Sequence, residues 1–168
     1  MKVPSRSAGF TLVELMVVMA ILAIVISIGV PSFNTLIKNN RLSAASNDIA
    51  GALQFARAEA VRRGRTVQVQ ALANDIANGL QVWFDENSDG NYDAGEEIRV
   101  VALADVSGLA VTADITNLDM AYSPRGAVNG AGNALNITLC DDRTGNHGKQ
   151  LRLLASGVLR LTSQISCS

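Results

Sequence analysis

The sequence predicts an α+β chain, a long amino-terminal helix whose second half packs against a carboxy-terminal antiparallel β domain. Two observations carry this. From Leu15 to Ile37 there are twenty-three residues without a charged side chain, and beyond Gly64 the hydrophobic period changes from helical to two. The 168 residues fit one domain with one appendage, and 48% hydrophobic against 17% charged residues is enough apolar material for a core.

The apolar run is long enough to cross a bilayer, which takes about 20 residues. Lys2 and Arg6 precede it, so the positive-inside rule keeps them cytoplasmic and exports the rest of the chain. A secretory signal cut after the run is the plainer alternative, with Ser27 and Gly29 supplying small residues. Against it stands Glu14 at the opening of the run, because an intramembrane acid costs roughly 2.5 to 3.5 kcal/mol and marks a function with a positive partner. Pro31 predicts a kink or local melting.

From Ser32 to Arg62, Leu36, Leu42, Ala45, Ile49, Ala52, Leu53, Ala56 and Ala60 recur at helical steps and form one core-facing stripe. Gly64 ends the helix, and Arg62, Arg63 and Arg65 sit where cations complement the helix dipole rather than a nucleic acid. Alternating stretches at 66–70, 80–84, 98–101, 134–139, 151–154 and 158–161 predict strands, the last two joined by Ala155-Ser156-Gly157. Asn78-Gly79, Asn129-Gly130 and Ala131-Gly132-Asn133 read as turns.

Ser7-Ala8-Gly9-Phe10-Thr11-Leu12-Val13-Glu14, after a short positive leader and before an apolar run, resembles the class III signal of type IV pilins and type II secretion pseudopilins. The resemblance implies that a prepilin peptidase cuts between Gly9 and Phe10 and methylates Phe10, and that Glu14 neutralises a neighbouring subunit's amino terminus during assembly. It divides the chain into a cleaved leader at 1–9, a transmembrane and assembly half-helix at 10–37 and a periplasmic domain at 38–168. The stretch from Leu53 to Val67, Cys140-Asp141-Asp142-Arg143 and the final Cys167 extend the likeness to the GspH/FimT branch of minor pilins and pseudopilins. The expected fold is then the type IV pilin fold. The expected function is that of a FimT/FimU-like minor pilin that primes and joins a pilus, with other pilins as partners and the inner membrane as its place before assembly. A GspH-like type II secretion pseudopilin is the neighbouring alternative.

Export into an oxidising compartment favours a disulfide between Cys140 and Cys167, the only cysteines; two buried free thiols are the other possibility. Asp85 to Glu96 follows the twelve-residue calcium-loop pattern, with Asp85, Asn87, Asp89, Asp93 and Glu96 as the ligand positions. Strands rather than helices flank it, which favours a solvated acidic hairpin loop, so no metal or other cofactor is implied. A lone His147, in a stretch that reads as a turn, leaves little material for catalysis, and an enzyme is not expected.

DNA capture is the rival function, since some FimT-like pilins resemble DNA receptors with a Gly-Arg-x-Arg motif. Here the aligned stretch is Gly157-Val158-Leu159-Arg160, which lacks the first arginine. Loss of Lys2 and Arg6 with the leader leaves twelve basic against fifteen acidic residues. A receptor would need Arg143, Lys149, Arg152 and Arg160 to converge on one face.

Overall fold

A computed structural model describes residues 9–103, 108–115, 117–130, 132 and 134–168. Most of the expected leader, with Lys2, Arg6, Ser7 and Ala8, lies outside the described residues, as do Ala131 and Asn133 of one expected turn. Helix α1 spans Leu12–Arg63 and is followed by strands β1 (Val67–Ala71), β2 (Gly79–Trp83), β3 (Glu97–Ala102), β4 (Leu109–Ala113), β5 (Asp119–Tyr122), β6 (Val128–Asn129), β7 (Ala134–Asp141), β8 (Gly145–Leu154) and β9 (Leu159–Cys167). The chain forms two compact units, one ending at Lys38 and the other Asn39–Ser168.

In the first unit α1 passes through Pro31 without interruption, contrary to the local melting expected there. Proline removes only the one hydrogen bond its own amide would donate, and the helix continues past that single missing donor; the Thr35 hydroxyl donates to the Pro31 carbonyl at 3.1 Å. Leu36, expected on the core stripe, is exposed.

In the second unit the strands form two antiparallel sheets, in the order β3-β2-β1-β5-β6 and β4-β7-β8-β9. The helix buries Leu42, Ala45, Ser46, Ile49, Ala52, Leu53, Ala56 and Ala60. Four of these are alanines, so the helix backbone lies close to the strands. Against the stripe stand Val69 paired with Val82, Leu135 paired with Leu153, and Ile137 paired with Leu151. These six side chains are all almost wholly buried, and each such burial contributes about 1.5 to 3 kcal/mol. Ser46 occupies a core position without penalty because its hydroxyl donates to the Leu42 carbonyl at 2.8 Å. Gly64, at φ +64°, ends the helix in the left-handed conformation that glycine adopts at low cost.

Arg57 ties the helix to two loops, donating from Nε to the Gly126 carbonyl at 3.1 Å and from Nη2 to the Ser156 carbonyl at 3.4 Å. Ser156 belongs to the expected β8–β9 turn, closed by the Gly157 amide donating to the Leu154 carbonyl. Burial pushes the Tyr122 phenol far above its ordinary range, with the charge of Arg57 acting in the opposite direction.

Candidate functional site

Gly9 and Phe10 precede the helix, and Phe10 is 79% exposed. Thr11 caps α1, its hydroxyl oxygen accepting from the Glu14 amide at 3.2 Å and its carbonyl accepting from the Leu15 amide at 3.2 Å. Thr11-Leu12-Val13-Glu14 therefore has capping-box spacing, a signal present in the sequence that the apolar run overshadowed. Glu14 lies in the first turn, where a carboxylate also complements the positive end of the helix dipole. Beyond it the apolar side chains from Leu15 to Phe33 are all exposed, and the helix is long and apolar enough to cross a membrane.

The four cations that a DNA receptor would need on one face do not share one. The Arg143 side chain is only 16% exposed, donating to Asp141 through Nε at 2.9 Å and to Asn39 through Nη2 at 2.9 Å. Lys149 donates to the Ser43 hydroxyl at 2.9 Å, so both side chains are held against the helix. Arg152 alternates with the buried Leu151 and Leu153 and points away from them, directly opposite Arg160 on β9. Arg62, Arg63 and Arg65 serve the local structure, as their position at the helix end suggested. Hydrogen bonds from Arg62 and Arg63 lower the Glu59 carboxyl to about 2, and Arg63 and Arg65 stack over the Phe84 ring at 4.7 and 4.5 Å.

Asp85 to Glu96 links the antiparallel pair β2 and β3 as a hairpin loop. Its carboxylates accept from the loop's own amides. Asp85 takes Ser88 and Gly90 at 2.6 and 2.9 Å, Asp89 takes Asn91 at 2.8 Å, and Glu96 takes Glu86 and Asp93 at 2.8 and 3.0 Å. Asn87 donates to Asp93 at 2.8 Å. Among the described residues no three His, Cys, Asp or Glu side chains are grouped to hold a metal. Millimolar calcium is expected to leave the thermal midpoint of the full-length protein within about 2 °C of its calcium-free value. Saturation at a hundred times the dissociation constant adds about 2.7 kcal/mol, so a shift of several degrees that Glu96→Gln abolishes counts against a self-satisfied loop.

Cys140 and Cys167 form a disulfide with a Cα–Cα distance of 5.8 Å, linking the end regions of β7 and β9 across β8. His147, expected in a turn, lies in the irregular first part of β8 and is exposed.

A capped apolar helix that opens with an acid and runs on into a disulfide-closed β domain is the plan of a pilin-type filament subunit. The sequence model described as type II transport protein GspH matches residues 45–157, and that of the prokaryotic N-terminal methylation motif matches residues 4–30. The pilin-like protein PilA1 of Thermus thermophilus is 30% identical over 125 residues, covering 70% of this chain and 77% of that protein. The type IV minor pilin FimU of Pseudomonas aeruginosa superposes with a TM-score of 0.64 at 22% identity, covering 77% of this chain and 96% of the FimU chain. The minor pseudopilin EpsH of Vibrio cholerae superposes at 0.53 with 13% identity, over 73% of this chain and 97% of its own. This chain belongs to the GspH/FimT family of type IV minor pilins and pseudopilins. Members of that family are structural proteins that assemble with other pilins, not enzymes.

Proposed function

We propose that this chain is a minor type IV pilin, cut between Gly9 and Phe10 by a prepilin peptidase, methylated on Phe10, and anchored in the inner membrane with residues 38–168 in the periplasm. From there it enters a filament and helps prime its assembly, Glu14 neutralising the amino terminus of the adjacent subunit. The observation that carries this reading is the order of parts. Gly9-Phe10 stands ahead of an uninterrupted, exposed apolar helix with an acid in its first turn, so a cut there keeps the helix. Intact-mass measurement of the membrane-extracted protein is expected to show methylated Phe10 as the first residue. A chain beginning after Gly29 is the result that overturns the proposal.

Service in a type II secretion pseudopilus remains the nearest alternative, because the same helix and peptidase suit both systems. The DNA-capture reading draws support only from the exposed Arg152 and Arg160, since Arg143 and Lys149 are bonded to the helix segment around Asn39 and Ser43.

A further inference from the structure

We infer that a polar pocket between β8, β9 and the first helical turns of the second unit binds the headgroup of an anionic phospholipid. The inference rests on the membrane-anchored reading above and adds a lipid contact to it. The pocket has a volume of about 230 Å³ and is lined by Asn39 and Ser43 of α1 and by Asn146, Lys149, Ser163 and Gln164 of the two strands. All of these belong to the unit Asn39–Ser168. The uncharged run ends at Ile37. At 1.5 Å per residue, Asn39 and Ser43 stand about 3 and 9 Å beyond it along α1, and a headgroup layer is about 5 to 7 Å thick. In an anchored chain the pocket therefore lies at headgroup depth. The first charges after the run are Lys38 and Arg41, both positive, and no acid follows until Asp48, a pattern that draws anionic lipid.

Lys149 supplies the charge inside the pocket. Its Nζ donates to the Ser43 hydroxyl at 2.9 Å, and Ser43 donates onward to the Asn39 carbonyl at 2.8 Å, so one hydrogen fixes the ammonium and two remain for a ligand. Among the described residues no carboxylate pairs with Lys149, and none lines the pocket. Asp141 and Asp142 act on Arg143, which Asp141 holds. Arg143 in turn donates to Oδ1 of Asn39 at 2.9 Å, which leaves the Asn39 amide hydrogens to donate elsewhere.

Ser163 and Gln164 are consecutive, and on a regular strand they would point to opposite faces. Both line the pocket because β9 bulges there. Gly148 pairs with Ile165 and Lys149 with Ser163, which leaves Gln164 unpaired at φ +63°, a conformation that few non-glycine residues adopt. An ammonium with hydroxyl and amide donors around it suits a phosphodiester. A head ending in choline or ethanolamine would bring a second cation with no carboxylate to meet it, whereas a polyol head can bond to the amides of Asn39, Asn146 and Gln164. The pocket is smaller than the roughly 300 to 1,000 Å³ that encloses a whole drug-sized ligand, which suits a headgroup whose acyl chains stay in the bilayer.

Native mass spectrometry of the full-length protein, extracted in mild detergent and offered equal phosphatidylglycerol and phosphatidylcholine, tests this. One phosphatidylglycerol is expected to stay bound, with about a fivefold preference over phosphatidylcholine. Lys149→Gln removes the preference, Lys149→Arg keeps it, and Ser163→Ala, which changes no charge, lowers it. Arg152→Gln removes an exposed cation from the other face of β8 and leaves the preference as it was. An unchanged thermal midpoint verifies that each variant folds. Equal retention of the two lipids, or a loss as large for Arg152→Gln as for Lys149→Gln, overturns the headgroup site. Displacement of the lipid by millimolar glycerol phosphate assigns the pocket to a free phosphate and also overturns it. Carbonate washing of membranes separates this inference from the reading beneath it. Protein that resists the wash but shows no lipid preference leaves the anchoring in place, whereas protein lost to the wash removes both.

Discussion

Opening the Cys140–Cys167 bridge is expected to lower the thermal midpoint of the full-length protein by about 10 °C. The two cysteines are 27 residues apart, and closing a loop of that length removes chain entropy from the unfolded state worth roughly 3 to 4 kcal/mol. In a domain of this size each kcal/mol corresponds to about 3 °C. The cost falls on the sheet formed by β4, β7, β8 and β9, because among the described residues β9 is held on one side only, by β8, and the bridge is its covalent hold on β7. Packing beneath the bridge is tight. A Cβ at Gly148 would stand 2.5 Å from the Cys167 sulfur and 2.8 Å from Ile165, so glycine is needed where β8 passes under it. The measurement compares wild type with and without reductant, beside Cys140→Ala/Cys167→Ala, which avoids burying a new hydroxyl. A fall of less than 2 °C on reduction would mean that strand pairing alone holds β9.

The parts of this fold that were legible in the sequence are those where one local signal dominates. The uncharged run speaks through its length and the small-residue stripe from Ala45 to Ala60 through its helical period, and Gly64 supplies the stop. The strands β1, β2, β3 and β7 alternate clearly. The missed strands are those whose pattern is weak. In β4 the alternation is diluted by small residues, β5 opens on an aspartate and has only Met120 and Tyr122 to bury, and β6 has two residues. Each owes its place to neighbours, as when Val67 and Val69 pair with Tyr122 and Met120. Gly145 to Gly148 has the composition of a turn, yet it joins β8 because Gly145 and Gly148 pair with Cys167 and Ile165 across a bulge.

The candidate site shows the same division. The roles proposed for Gly9, Phe10 and Glu14 rest on their order along the chain, which local sequence states directly. Whether the four cations that DNA capture would need can share a face was legible only in part. Lys149 and Arg152 are three residues apart on one strand, and a period of two puts them on opposite faces. That Arg143 is taken up by Asp141 and Asn39 depends on a contact across more than a hundred residues, which no local pattern reports.

Glu14→Ala is expected to lower recovery of the protein in sheared filaments roughly a hundredfold while leaving its processing and membrane level unchanged. The proposed pairing leaves a neighbour's amino terminus without its counter-charge when the carboxylate is removed. An uncompensated charge within the bilayer costs about 2.5 to 3.5 kcal/mol, and each 1.4 kcal/mol is about tenfold in an equilibrium. The helix itself survives, because the Thr11 hydroxyl accepts from the backbone amide of residue 14, which alanine retains. Loss of the carboxylate from the first turn weakens the helix start by only about 0.3 to 1 kcal/mol, far too little to account for so large a change. Glu14→Gln keeps the shape without the charge and is expected to behave like alanine. Glu14→Asp keeps the charge on a shorter stem and is expected to fall between alanine and wild type. A role confined to capping predicts no such ranking, since alanine at position 14 would then cost little and filaments would contain all three variants. Filament recovery of Glu14→Ala near that of wild type removes the proposed pairing, whatever the fate of the leader.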